Sequence, residues 1–204
     1  MTNAKSSSDG YIKFSCDQIQ SEAFSPKDIA ELNAWRHKLY SVKLIGAYEN
    51  GIGYGNISVR KDKNVFLITG SATGNLSSLT GAHYSEVIEY NLDKNYLKCK
   101  GPIKASSESM THAAIYSIDN KINAIIHVHN LELWNKLFHK VPTASSDATY
   151  GTPEIAKEMI RLFKDEYAGR SGIIVTEGHK EGIFTFGKDL DSAGKILMEY
   201  FNKL

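Results

Sequence analysis

The run Ile125-Ile-His-Val-His129 constrains this chain more than any other feature. Its β-branched apolar residues read as a buried strand, and in a strand the side chains at i and i+2 point to the same face. His127 and His129 therefore present two imidazoles side by side, fixed by backbone rather than by flexible loops. Such a pair is half of a tetrahedral zinc site. Alone it is weak: with seven histidines in the chain, one such spacing arises by chance in roughly one sequence in four. The weight falls on partners elsewhere in the sequence.

The chain's 204 residues suffice for one domain with a sizeable core. Apolar residues at 42 % and charged residues at 23 % are ordinary for a soluble globular protein. A formal net charge of +1 gives no reason to expect nucleic acid or a membrane surface as partner. No apolar run approaches the roughly 18 residues of a membrane span. Met1 to Gly10 is polar and lacks an apolar signal core, so it reads as a loose tail. Cys16 and Cys99 have no metal-ligand spacing and read as free thiols. These features predict a cytoplasmic protein, with an N-terminal extension over 1–24 and one domain over 25–204.

Ser25-Pro26 opens the first helix, with serine as N-cap and proline in the first turn. Ile29, Leu32, Trp35, Leu39 and Val42 recur at helical spacing, and the pattern runs out near Gly51. Gly51 to Asn56 is too glycine-rich for regular structure. Ile57–Arg60 and Val65–Thr69 form a predicted hairpin across Lys61 to Asn64, and Val87–Tyr90 with Tyr96–Cys99 form a second. From Ser107 the pattern alternates: helix to Tyr116, strand Ala124–Val128, and a short helix near Glu132–Phe138. A long helix follows, capped at Thr152-Pro153-Glu154 and running to about Asp165. Ile173–Thr176 and Ile183–Phe186 read as strands, and an amphipathic helix from Asp189 closes the chain. The expected architecture is α/β, a single-domain three-layer sandwich with a mixed, largely antiparallel central sheet covered by helices.

Four segments carry candidate chemistry. Gly55-Asn56 ends the glycine-rich loop, where a backbone can approach a ligand closely. Ser106-Ser107-Glu108 enters a helix, whose unpaired N–H groups and dipole favour anions. The histidine pair is the third, and His179, in the loop Glu177 to Gly182, is the fourth. Each has a plain alternative: a turn, an N-cap, a solvated histidine. His112, four residues after Glu108 on the same helix face, is expected to pair locally with it. His37, His83 and His139 read as surface or packing residues, with His139 ranked below His179 as a third ligand.

Taken together, the segments resemble the class II aldolase/adducin family from about Ser25 onward. The matching stretches are Gly55-Asn-Ile-Ser-Val-Arg60, Thr73-Gly74 followed by Leu79-Thr80, Ser106-Ser-Glu-Ser-Met-Thr-His112 and Ile126-His-Val-His129. Tyr150-Gly-Thr-Pro-Glu154, His179 and Gly187-Lys-Asp-Leu-Asp-Ser-Ala193 complete the set. The resemblance implies one Zn2+ per chain on His127, His129 and His179, with Glu108 as fourth ligand and catalytic acid/base. It further implies a phosphate site at Gly55, Asn56, Ser106 and Ser107 with a Thr-Gly pair, Thr73-Gly74 or Thr69-Gly70. The implied activity is a zinc-dependent, aldolase-type lyase cleaving a ketose 1-phosphate-like sugar phosphate by a retro-aldol, enediolate mechanism, in a homotetramer. The alternatives are a non-catalytic, adducin-like interaction module, or a sugar-phosphate epimerase or dehydratase on the same scaffold. Three features depart from the family pattern. Lys180 and Glu181 stand between His179 and Gly182, where the family has His-Gly. The stretch from His129 to Tyr150 is shorter than in sugar-phosphate aldolases, and no C-terminal tail is expected to close the site.

Overall fold

The computed structural model describes residues 11–165 and 168–204; the tail expected over Met1–Gly10 lies outside them. The chain enters on strand β1 (Ser15–Ile19), followed by helix α1 (Pro26–Ser41) and two short strands, β2 (Gly46–Ala47) and β3 (Gly53–Tyr54). Hairpins β4 (Asn56–Asp62)/β5 (Val65–Thr69) and β6 (Tyr84–Asn91)/β7 (Tyr96–Lys100) come next. Helix α2 (Ser109–Ile118) leads to β8 (Ala124–His129), α3 (Leu131–Leu137), β9 (Thr143–Ala144) and α4 (Pro153–Asp165). The short α5 (Ala168–Ser171), strands β10 (Ile173–Thr176) and β11 (Gly182–Gly187), and α6 (Leu190–Phe201) close the chain.

Nine of these strands make one sheet in the order β1-β7-β6-β5-β4-β8-β11-β10-β9. Neighbours run antiparallel except β1 with β7 and β9 with β10, which are parallel. Period 2 then divides the side chains between two cores. On one face Phe66, Ile68, Ile125, Ile174 and Phe184 meet Met110 and Ala113 of α2 and Ile155 and Met159 of α4. On the other, Ile57, Leu67, Ile126, Val128 and Ile183 meet Ile29 and Leu32 of α1, Leu133 of α3 and Leu197 of α6. The result is the expected three-layer α/β sandwich around a mixed, largely antiparallel sheet.

Several boundaries differ from the sequence reading. Helix α1 begins as expected, with a capping box in which the Ser25 Oγ accepts from the Asp28 N–H and the Asp28 carboxylate accepts from the Ser25 N–H. It stops at Ser41, well before Gly51. Lys43 takes a left-handed φ of 59°, and Leu44 and Ile45 turn inward to be buried. The glycine-rich loop holds the two-residue strand β3, paired with β2. Residues 15–19, counted with the N-terminal extension, are the edge strand β1. They pair with β7 and bring the unlinked thiols of Cys16 and Cys99 within 3.8 Å.

Strand β8 lies between β4 and β11, with Asn56 opposite His127 and Gly182 opposite His129. Its C-terminal end therefore meets the N-terminal ends of both neighbours, and the loops before them converge there.

Candidate active site

Because Ile125, His127 and His129 alternate with Ala124, Ile126 and Val128, both imidazoles stand on the face covered by α2 and α4. His127 Nδ1 faces the Ile183 carbonyl at 3.2 Å and donates to it, which turns the Nε2 lone pair outward. Phe184 stacks on the ring at 4.1 Å between centroids. Burial, reinforced by the neighbouring His179 and His112, holds the His127 pKa well below its usual value and keeps the ring neutral. His129 Nε2 lies 3.1 Å from His127 Nε2.

The third imidazole arrives from the loop between β10 and β11. Gly178 approaches the Ser146 and Ala148 carbonyls so closely that a Cβ would stand 2.6 and 2.8 Å from their oxygens. Thr176 Oγ1 holds the loop by its bonds to the His179 and Gly182 carbonyls. The His179 ring lies 5.4 Å from His127 and 4.6 Å from His129, with Tyr150 packed against it at 4.8 Å. One ligand atom from each of the three histidines falls within 4.8 Å of the others, and all three residues are buried. The group could hold a metal ion. Two nitrogens on one tetrahedral ion stand about 3.3 Å apart when each bond is 2.0–2.1 Å, close to the spacing within β8.

Glu108 is the N-cap residue of α2 and only 3 % exposed. Its Oε1 is 3.1 Å from His179 Nδ1 and 4.0 Å from His127 Nε2, while its Oε2 accepts from Thr111 Oγ1 at 3.0 Å. The expected local pair with His112 is not what α2 makes. That ring faces the sheet and bonds Ser58 Oγ through Nδ1 at 2.7 Å, because Glu108, at the helix start, points to the histidines instead.

An open pocket joins this cluster to the other expected residues. Gly55, Asn56, Thr73, Gly74, Ser106 and Ser107 line it together with Glu108, His127, His129 and His179. Of the two Thr-Gly pairs, Thr73-Gly74 lies on the wall. Gly70 does too, whereas Thr69 is buried in β5, where its Oγ1 accepts from the Ile57 N–H. Asn56 Oδ1 is buried with no hydrogen-bond partner among the described residues. His139 is exposed at the end of α3, against Phe138, and takes no part.

The sequence reading gave no role to four supporting residues. Arg36, buried in α1, donates through Nη2 to the carbonyls of Thr73 (3.1 Å) and Gly74 (3.0 Å). Tyr54 lines the pocket and stacks on His129 at 5.6 Å. Tyr48 and Glu181 bond to one another beside His129. Arg36 shares the α1 face of Leu32 and Leu39, and only the fold shows a charged residue there buried against the Thr73-Gly74 turn.

Fold and pocket define an α/β sandwich with a histidine–carboxylate cluster at the C-terminal end of strand β8. The chain belongs to the class II aldolase and adducin N-terminal domain family, whose model matches residues 48–204. A relative from Methanocaldococcus jannaschii, an L-fuculose phosphate aldolase, is 31% identical over 172 residues, covering 76% of this chain and 82% of that protein. Among solved structures, an L-fuculose 1-phosphate aldolase superposes with a TM-score of 0.65 at 22% identity, over 87% of this chain and 82% of the other. The L-fuculose-1-phosphate aldolase from Thermus thermophilus gives 0.57 at 25% identity, over 86% and 87%. No helix among the described residues is long and apolar enough to cross a membrane.

Proposed function

We propose that this chain is a metal-dependent, aldolase-type lyase acting on a phosphorylated ketose. One observation carries the reading: a single pocket joins three imidazoles and a buried carboxylate to a wall of glycines and small hydroxyl residues. His127, His129 and His179 would hold the ion, with Glu108 beside it, and a nitrogen-rich donor set suits zinc over magnesium or calcium. When bound, the ion supplies a Lewis acid for the negative charge that develops on the ketone side as a carbon–carbon bond breaks.

The remaining steps belong to the protein. Thr111 occupies Oε2 of Glu108 and leaves Oε1 turned toward the histidines. There it takes the proton of the substrate hydroxyl on the carbon being cleaved off. Asn56, Thr73, Ser106 and Ser107 hold the phosphate, with Gly55 and Gly74 admitting it close to the backbone. Arg36 fixes the Thr73-Gly74 turn from behind. Holding a group that does not react places the scissile bond against Glu108. Zinc as the resident ion and a homotetrameric assembly belong to the same proposal and come from the resemblance, and a cytoplasmic location belongs to it from the composition and cysteine usage.

Metal analysis of the purified chain beside His127→Ala tests the centre. About one zinc per wild-type chain and loss in the variant is the expected result; negligible metal in both would remove the enzyme reading. Zinc-loaded protein is then assayed against ketose 1-phosphates, coupled to detection of dihydroxyacetone phosphate. Glu108→Gln is expected to stay folded and lose cleavage by about 10²–10⁴-fold. A variant as active as wild type would remove the acid/base role.

A further inference from the structure

Glu181 is, with Lys180, one of the two residues standing between His179 and Gly182. Glu181 takes a left-handed φ of 71°, a conformation that a non-glycine residue holds only when its surroundings enforce it. The enforcement comes from both sides: the Asn130 N–H bonds the Glu181 carbonyl at 3.2 Å, and the Gly182 N–H bonds the His179 carbonyl at 3.0 Å. This bend delivers the Glu181 carboxylate to Tyr48, whose hydroxyl donates to Oε2 at 3.0 Å. The same hydroxyl oxygen lies 2.8 Å from His129 Nδ1.

A phenol has one proton to give, and an ionised carboxylate only accepts. With the Tyr48 proton directed to Glu181, the Tyr48 oxygen accepts from His129, which therefore carries its proton on Nδ1. Nε2 then keeps its lone pair, on the side of the ring where His127 Nε2 lies 3.1 Å away. The two histidines of β8 are thus supported differently. His127 leans on a backbone carbonyl, whereas His129 leans on a side-chain relay ending in an anion.

We propose that Tyr48 and Glu181 form a positioning pair that sets the tautomer and ring orientation of His129 and thereby tightens the metal site. The inference rests on the metal-centre reading above and adds a determinant of ion affinity that the family pattern of His-Gly does not supply. Outer partners of this kind typically change metal affinity by about 10–100-fold when removed.

The test measures zinc affinity by competition with a chromophoric chelator, and the Co2+ absorption spectrum, for wild type, Tyr48→Phe, Glu181→Gln and the double variant. Tyr48→Phe keeps the ring that packs on Tyr54 at 4.7 Å, and Glu181→Gln keeps the shape of the loop side chain. Each single variant is expected to bind zinc about 10–100-fold more weakly and to shift the cobalt bands. The double variant is expected to bind no more weakly than Tyr48→Phe, because the carboxylate acts through the phenol. Should Tyr48→Phe not fold, Glu181→Gln decides alone. Wild-type zinc binding with both single variants within threefold, and unchanged cobalt bands, overturns the positioning pair and leaves the metal centre standing. A wild type that binds neither ion overturns both.

Discussion

Gly74 shows how much of the pocket depends on one missing side chain. A Cβ there would collide with the Gly46 carbonyl and stand 2.8 Å from Gly53 Cα and 2.9 Å from the Tyr54 nitrogen, all of them backbone atoms. None of these is the flexible end of a side chain, so the Thr73-Gly74 turn itself would have to move. Gly74→Ala is therefore expected to raise KM for a phosphorylated substrate at least about tenfold, the loss of about 1.4 kcal/mol of anion contacts. Zinc content should stay at the wild-type level, because the histidines stand on other elements. Equal loss of zinc and substrate binding in this variant would mean that the two ends of the pocket are not separable. The converse residue is Gly55, whose φ of +77° and contact with Ile45 fix the entry into β4, where Asn56 meets His127.

Elements differ in how plainly the sequence announces them. Strands β5 and β10 fall on the expected residues because each is a continuous, largely apolar run, buried except at Val65, and ended by a turn. Strand β1 hides, since its inward positions are Cys16 and Gln18 and give no apolar alternation. Strands β2, β3 and β9 have two residues each, too few for any period. His127 and His129 were legible because spacing within a strand maps directly onto one face, whereas His179, on a loop, joined them only through the resemblance. Tyr48, Glu181 and Arg36 were not, because turns and burial position them across long separations in the chain. Arg60 belongs to a matched stretch yet sits away from the pocket, and its work lies between elements. Its guanidinium donates to the carbonyls of Tyr116 and Asp119 at the end of α2, to Ile122 before β8 and to Lys63 in its own hairpin. The planar fork serves four acceptors that a lysine cannot match. Arg60→Met is expected to lower the free energy of unfolding by about 2–4 kcal/mol, read by urea denaturation, with zinc content unchanged. A loss below about 0.5 kcal/mol would place those four bonds among exposed contacts of little worth.

Across the whole molecule, the layer between α2 and the sheet is the one through which acid should open the fold. His112 is fully buried there, in a chain running from its Nδ1 to Ser58 Oγ at 2.7 Å and on to the Tyr116 hydroxyl at 2.7 Å. Burial pushes its pKa from the ordinary 6.5 down to about 3, against a weaker pull upward from Glu108. The folded state thus prefers the neutral ring, and the unfolded chain binds the proton first as pH falls. Stability from this group is complete above pH 6.5 and drains away as the pH drops toward 3, at up to about 1.4 kcal/mol per pH unit. His127 is pushed the same way, so the comparison must isolate His112. Urea unfolding of the metal-free protein between about pH 7.5 and 4.5, set beside His112→Gln, does so. The wild type should lose stability more steeply below about pH 6, the gap between the two curves narrowing by about one proton's worth per unit. Parallel curves would mean that His112 accepts its proton inside the folded molecule. Because α2 also carries Glu108, an acid-driven opening of this layer reaches the pocket before it reaches the opposite core of α1, α3 and α6. Zinc release on acidification should accordingly begin at higher pH than the loss of helical signal.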